Sequence, residues 1–215
     1  MPIRIVTIER EYGSGGSLIA EKLANRLGWK LWDTALTDEI AKRAKVPREA
    51  AVRCDEHIDP LLYRLFKVFA RGSYERRLPV ADTGEFDTDH MVALLHRVIE
   101  DAAASGNGVI VGRGAPYILR NHPDVFHAFI FAPFEEKMRR VKTLGKSDAE
   151  ARELLETIDK ERGQFIKRYF GADWPHRPLY DVMVNSEMGD EYVIDMILHG
   201  VSFAEKRVGT TTASA

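Results

Sequence analysis

A run of small residues near the N-terminus, Gly13-Ser14-Gly15-Gly16-Ser17, has the composition of an anion-binding loop. It follows a β-branched segment, Ile3 to Ile8, and precedes apolar residues at helical spacing, so it is predicted to join a buried strand to a helix. At such a junction, backbone N–H groups converge with the positive end of the helix, and glycine lets an anion approach closely. The sequence therefore predicts a phosphate-binding loop, with a glycine-rich turn that binds nothing as the alternative.

One motif that matches this loop in part is the dinucleotide-binding pattern G-x-G-x-x-G. It takes Gly13 and Gly15, and it places Asp33 where an acid that binds ribose is expected. Position 18 should then be glycine or alanine, and it is Leu18. The match is incomplete at the residue that normally allows close packing of helix and strand.

The other partial match is the P-loop pattern G-x-x-x-x-G-K-[ST], which takes Gly15 and Ser17. Its first glycine is replaced by Arg10, and its lysine is replaced by Gly16. The local pattern leaves both motifs open.

A second group with chemical potential is Asp159 and Arg162, on a long predicted helix. The apolar residues of this helix span an arc of about 120° at 100° per residue: Leu154, Leu155, Ile158, Phe165, Ile166 and Tyr169. Arg162 falls inside this arc and Asp159 lies just beyond its edge. Because an unpaired buried charge is costly, Arg162 is expected either to pair with Asp159 or to bind an anion.

These residues are set among alternating strand and helix patterns, which predict a doubly wound α/β fold with a parallel sheet of about five strands. The predicted strands are Ile3 to Ile8, Trp29 to Trp32, Val109 to Val111, Phe126 to Phe131 and Tyr180 to Val184. The long interval of about 37–106 is helical in pattern. Ser147 and Glu150 form a capping box that begins a further helix.

The composition limits the class of protein. The chain has 215 residues and a formal net charge of −2, which excludes a broad, sequence-independent surface for nucleic acid. Its single cysteine, Cys54, excludes an internal disulfide. No apolar run approaches the length of a membrane span, so a cytoplasmic protein without nucleic-acid polymer or membrane partners is expected. The oligomeric state is not predicted.

Six segments carry a further signal through their order and spacing: TIEREYGSGGS, LWDT, VIVGRGAPYIL, HPDVFHAFIFAP, DKER and LYDVMVNS. Together they resemble the cytidylate kinase-like branch of the nucleoside monophosphate kinases over nearly the whole chain. The resemblance implies a three-layer P-loop kinase fold and ATP-dependent phosphoryl transfer to a nucleoside monophosphate, CMP or dCMP. It also implies ATP and nucleoside monophosphate as the bound partners, with Mg²⁺.

The resemblance further implies one kinase-like domain over residues 1–208. Its core would comprise 1–36, 107–138 and 170–208, its helical acceptor-binding insert about 37–106, and its basic lid about 139–169. Residues 209–215, GTTTASA, are expected to form a frayed tail.

The candidate site residues come partly from this resemblance and partly from the loop sequence, which alone supplies Arg10. The ATP-binding candidates are Gly13, Ser14, Gly15, Gly16, Ser17, Leu18 and Asn185. The acceptor-binding candidates are Asp33, Arg113, Asp159 and Arg162. The candidates for stabilising the transferred phosphoryl group are Arg10, Arg113, Arg139, Arg140 and Arg162.

The departures from the family pattern generate further hypotheses. Since position 16 lacks the lysine, Arg10 is the best local candidate to supply the missing charge, with Arg113 or a lid arginine as alternatives. A salt bridge from Arg10 to a neighbouring glutamate would be the structural explanation instead. Gly114 stands where the family has an aspartate after the arginine, and Val111 replaces an acidic residue at the end of the third strand.

Magnesium is expected on the Ser17 hydroxyl, with Asp33 holding a metal-bound water, because Mg²⁺ keeps several waters. Capping of the following helix is the alternative for Asp33. Two other functions remain open: a catalytically weakened nucleotide-binding regulatory module and, with less support, an NAD-binding Rossmann oxidoreductase.

Overall fold

A computed structural model describes residues 2–43 and 88–212 of the chain. Most of the predicted insert, 44–87, and residues 213–215 lie outside the described residues. The strands are β1 (Ile5–Arg10), β2 (Lys30–Trp32), β3 (Gly108–Val111), β4 (Val125–Phe131) and β5 (Val182–Asn185). The helices are α1 (Gly16–Leu27), α2 (Thr34–Arg43), α3 (Thr88–Ala104), α4 (Ala115–Ile118), α5 (Phe134–Lys142), α6 (Asp148–Phe170) and α7 (Asp190–Thr212).

All five strands form one parallel sheet in the order β2-β3-β1-β4-β5. This confirms the predicted parallel α/β architecture. In the common dinucleotide-binding order, the first two strands of the chain are neighbours. Here β3 lies between β1 and β2. The strand order therefore does not support the alternative of an NAD-binding Rossmann oxidoreductase.

Strand β1 begins and ends two residues later than the sequence pattern predicted. Its pairing with β4 continues to the end, where Arg10 lies opposite Ile130. Glu9 and Arg10 are therefore buried strand residues, and they do not belong to the glycine loop, Gly13 to Ser17. The apolar pattern missed them because charged residues usually mark the end of a buried strand.

The sheet divides the core into two layers because successive strand residues face opposite sides. On one side, Ile5 packs in a cluster with residues of α2, α3 and α6. On the other side, Val6 and Ile8 pack with residues of α1 and α7. A smaller cluster joins α5 to α6 beside the glycine loop.

The helix ends agree with local sequence signals. Gly28 caps α1 in a left-handed conformation, and the capping box of Ser147 and Glu150 begins α6 as predicted. Helix α7 runs to Thr212, so 209–212 continue a helix where the sequence suggested a frayed tail. Within the part of the chain that the structure covers, no helix is both long and apolar enough to cross a lipid bilayer.

The packing of β4 yields a stability prediction. Phe129 is 1% exposed and contacts the rings of Trp174 and Tyr180. Phe129→Ala is expected to lower the free energy of unfolding by about 4 kcal/mol, because a large buried side chain leaves a cavity. Urea denaturation measures this loss.

The matched control is Phe203→Ala on α7, where the phenylalanine is 71% exposed. Its unfolding midpoint should stay close to that of the wild type. Equal losses in the two variants would contradict the assigned core.

Candidate functional site

A cavity of about 310 Å³ opens beside the glycine loop. Of the six consecutive residues predicted to bind ATP, Ser14 does not line this cavity. The other five do: Gly13, Gly15, Gly16, Ser17 and Leu18. Three arginines from different elements also line it: Arg10, Arg140 and Arg162. A helix N-terminus and three guanidinium groups around one cavity form a site suited to a polyphosphate.

The loop is fixed in place by contacts from both sides. The Tyr12 N–H donates to Asp159 Oδ1 at 2.9 Å, which ties the loop to α6. The Ser14 hydroxyl donates to the Glu11 carbonyl at 2.8 Å. The Glu11 carboxylate accepts from Lys137 Nζ at 2.8 Å, which ties the loop to α5. At the entry to α1, Gly15 has a φ of 77°, a conformation that favours glycine.

The two lid candidates, Arg139 and Arg140, have different environments. Arg140 donates to the Ser14 carbonyl and to the Ser186 hydroxyl and carbonyl, so it joins the glycine loop to the end of β5. Arg139 is 66% exposed and forms its ion pair with Glu136. Glu136 also accepts from Arg140 Nε at 2.6 Å. The structure therefore brings only Arg140 of this pair to the loop cavity.

The pairing of Asp159 with Arg162 matches one of the sequence-based alternatives. Arg162 Nη1 donates to Asp159 Oδ1 at 2.9 Å and to the Arg10 carbonyl at 2.9 Å, and the arginine is buried. Burial raises the pKa of Asp159, while the Arg162 charge and the Tyr12 N–H oppose this shift. Asp159 thus supports the loop and orients Arg162.

A second, smaller cavity of about 20 Å³ lies beyond Arg10 and Arg162, which line both cavities. Arg113 and Glu9 supply its other charged groups. Its remaining lining is mostly apolar: Gly114, Phe165, Ile166 and Trp174. Arg10 and Arg162 therefore lie between the two cavities: the larger one, called the loop cavity, and the smaller one, called the inner cavity.

Arg113 is held in an uncommon backbone conformation, with φ at 57° between two glycines. This left-handed conformation costs a non-glycine residue about 1–2 kcal/mol. The buried side chain donates to Asp33 Oδ1 at 3.1 Å and to the Val111 carbonyl at 3.2 Å. In this backbone conformation, the Arg113 side chain points inward and lines the inner cavity, where its hydrogen bond to Asp33 holds it.

Glu9 is a site residue that the sequence analysis missed. It is 3% exposed and lines the inner cavity. Burial raises its pKa, and the charges of Arg10 and Arg162 act against that shift. Alternation along β1 could have revealed it, because Glu9 shares the face of Ile5 and Thr7.

The end of β5 contacts the loop through Ser186. Its hydroxyl donates to the Ser14 carbonyl at 2.6 Å, and it also lies within hydrogen-bond distance of Arg140. Asn185 is one of the predicted ATP-binding residues. Its side-chain oxygen accepts a hydrogen bond from the Glu187 N–H and so caps a short helix, Ser186–Met188.

Two of the described residues fit a magnesium ion chemically. Ser17 places a hydroxyl in the first turn of α1 at the loop cavity, and Asp33 offers a carboxylate after β2. In 2–43 and 88–212, no cluster of three or more His, Cys, Asp or Glu side chains could hold a metal. Mg²⁺ is typically held by one or two protein oxygens and substrate phosphates, so Ser17 fits a nucleotide-bound Mg²⁺. Asp33 is buried, pairs with Arg113 and lines neither cavity.

The position of Asp159 under the loop gives a prediction. Asp159→Ala is expected to lower the free energy of unfolding by about 3 kcal/mol, because the buried Arg162 charge loses its partner. It should also weaken binding of an ATP analogue, since Tyr12 loses its anchor. Urea denaturation and calorimetric titration measure the two effects.

Asp173→Ala is the matched control, because Asp173 forms an exposed ion pair with Lys167. Its unfolding midpoint and nucleotide affinity should equal those of the wild type. An Asp159→Ala variant that behaves like this control would refute the supporting role of Asp159.

The buried carboxyl of Glu9 predicts a pH dependence. A carboxyl whose pKa is raised on folding favours the native state at low pH, and this contribution declines as pH rises above its ordinary pKa of 4.5. The melting temperature of the wild type minus that of Glu9→Gln should therefore decrease as the pH is raised above about 4.5.

Glu153→Gln, at an exposed position on α6, controls for loss of a charge alone. Scanning calorimetry across the pH range supplies the comparison. A difference between wild type and Glu9→Gln that rises with pH would contradict the raised pKa.

Comparisons with known proteins identify relatives by sequence and by fold. A cytidylate kinase from Methanosarcina mazei is 25% identical over 138 residues, covering 59% of this chain and 73% of that protein. A cytidylate kinase from Ignicoccus hospitalis is 26% identical over 202 residues, covering 90% of this chain and 96% of that protein. The crystal structure of an uncharacterized protein from Eubacterium ventriosum has a TM-score of 0.67 and 24% identity, and covers 93% and 98% of the two chains.

The structural match to the Eubacterium ventriosum protein bears on the fold alone. A model of the cytidylate kinase-like family matches residues 5–188, which include the glycine loop and every arginine that lines the two cavities. Because this match spans most of the 215 residues, the chain belongs to the cytidylate kinase-like family.

Proposed function

We propose that this protein transfers the γ-phosphoryl group of ATP to a nucleoside monophosphate, CMP or dCMP. The observation that carries the proposal is the shared boundary of two cavities, where Arg10 and Arg162 face both the glycine loop and the inner pocket. Family membership and the names of the two archaeal relatives support the same chemistry.

The reaction needs little covalent chemistry from the protein. An oxygen of the acceptor phosphate attacks the γ-phosphorus of ATP and forms a new phosphorus–oxygen bond. The bond from that phosphorus to the β,γ-bridging oxygen breaks, and ADP leaves with the electron pair. The attacking phosphate oxygen is already deprotonated at neutral pH, so no protein base is required.

The described residues would contribute position and charge. The α1 N-terminus would hold the ATP phosphates, and Arg113 and Arg162 would hold the acceptor phosphate. Asp33 and Asp159 would orient these two guanidinium groups, since each is already paired with one of them. Arg140 would keep the loop and the end of β5 together around the nucleotide.

Magnesium would be held by the Ser17 hydroxyl at the loop cavity, and Asp33 would hold one of its waters. When bound, Mg²⁺ neutralises charge on the β- and γ-phosphates. Since the inner cavity is only about 20 Å³, acceptor binding must widen it, and closure around both substrates would then exclude water.

A nucleotide-binding module with little catalysis is the second candidate. Gly16 and Val111 favour it, because both replace charged residues of the family pattern. The buried Arg113 and Arg162 favour the kinase, because a sensor of ATP alone has no need of a cationic inner cavity.

An acceptor screen tests the proposed function. The purified full chain, with ATP and Mg²⁺, is expected to form ADP rapidly with CMP or dCMP and slowly without an acceptor. Arg113→Lys should raise the acceptor KM about tenfold with the ATP KM unchanged, because lysine keeps the charge but loses the planar donor pair. Coupled spectrophotometric assays give both constants.

The exposed Arg177→Lys is the matched control and should leave both KM values at wild-type levels. Nucleotide binding without turnover of any nucleoside monophosphate would instead favour the regulatory module.

A further inference from the structure

The side chain of Arg10 occupies the space that a side chain at position 16 would need. A Cβ atom built on Gly16 would lie 2.6 Å from Arg10 Cβ and 2.9 Å from Arg10 Cγ. Both distances are shorter than real Cβ contacts, and the obstructing atoms are the rigid beginning of the side chain. Glycine at position 16 is therefore required by the presence of a side chain at position 10, here that of Arg10.

The far end of the same side chain reaches the loop that follows β3. A Cβ atom on Gly112 would overlap Arg10 Nη1. Arg10 thus extends from the last position of β1, past the first residue of α1, to Gly112. Arg10 is buried, and along this path it lines both the loop cavity and the inner cavity.

The electrostatic setting of Arg10 favours an added anion. Arg10 Nη1 lies 3.9 Å from Glu9 Oε1, and the charges of Asp33 and Glu9 both favour the protonated guanidinium. Burial, followed by the charge of Arg162, lowers the pKa of Arg10 to about 10. A phosphate in either adjoining cavity would offset both effects.

We infer that Arg10 takes the place of the P-loop lysine, and that Arg10 and any side chain at position 16 exclude each other. The inference rests on the proposed function and deepens it. A lysine at position 16 would begin on α1 and border only the loop cavity, whereas Arg10 begins on β1 and borders both cavities. Its planar group can bind two phosphate oxygens at once.

The charge is tested with Arg10→Met. The turnover number is expected to fall about 10³-fold, the lower range for an arginine that stabilises phosphoryl transfer. The Kd of a non-hydrolysable ATP analogue should rise at least about tenfold. Arg4→Met, at a half-exposed arginine just before β1, is the matched control and should match the wild type in both measurements.

The steric exclusion is tested with three further variants. Gly16→Lys alone should lose activity and affinity, because its Cβ displaces Arg10. Arg10→Gly should also lose activity and affinity. The double variant, Arg10→Gly with Gly16→Lys, should bind the ATP analogue at least about tenfold more tightly than Arg10→Gly alone. Circular dichroism melting confirms that each variant is folded.

Three outcomes would overturn the inference: a folded Arg10→Met variant with wild-type turnover and affinity, a fully active Gly16→Lys variant, or no recovery in the double variant. Affinity for the ATP analogue needs no acceptor, so it separates this inference from the proposed function. If the wild type accepts no monophosphate, the proposed function fails, while the affinity series still decides the pairing of positions 10 and 16.

Discussion

The structure depends on the burial of three guanidinium groups at one edge of the sheet, those of Arg10, Arg113 and Arg162. A buried charge is tolerated only when it is paired and hydrogen-bonded. Asp33 pairs with Arg113 and Asp159 pairs with Arg162, while the carboxyl of Glu9 lies beside Arg10. Each guanidinium therefore has a carboxyl nearby, and an incoming phosphate competes with these carboxyls for cations that are already oriented.

The parallel sheet makes this concentration of charge possible. In an open parallel sheet, the connections at the carboxyl ends of the strands meet at one edge, and a crevice forms where their direction diverges. Strand β1 lies between β3 and β4, so residues at its end and after β3 come together. Asp33, after β2, reaches the same edge and closes the arrangement around Arg113.

The sequence predicted the elements better than the orientation of individual side chains. The five strands and the capping box at Ser147 were predicted because apolar periodicity and cap residues act locally. The inward position of Glu9 was missed, since strand pairing with β4 overrides the polar character of that segment. Arg139 and Arg140 were equivalent in sequence, but adjacent helical positions point about 100° apart, so only Arg140 reaches the loop.

The origin of a charged side chain determines which chemistry it can serve. A lysine at position 16 would begin in the first turn of α1, which lines only the loop cavity of the two. Arg10 occupies the last position of β1, where it pairs with Ile130 of β4, and its side chain lines both cavities. Glycine at position 16 leaves room for the Arg10 side chain, which on our inference supplies the cation from the sheet and would contact the donor and acceptor phosphates together.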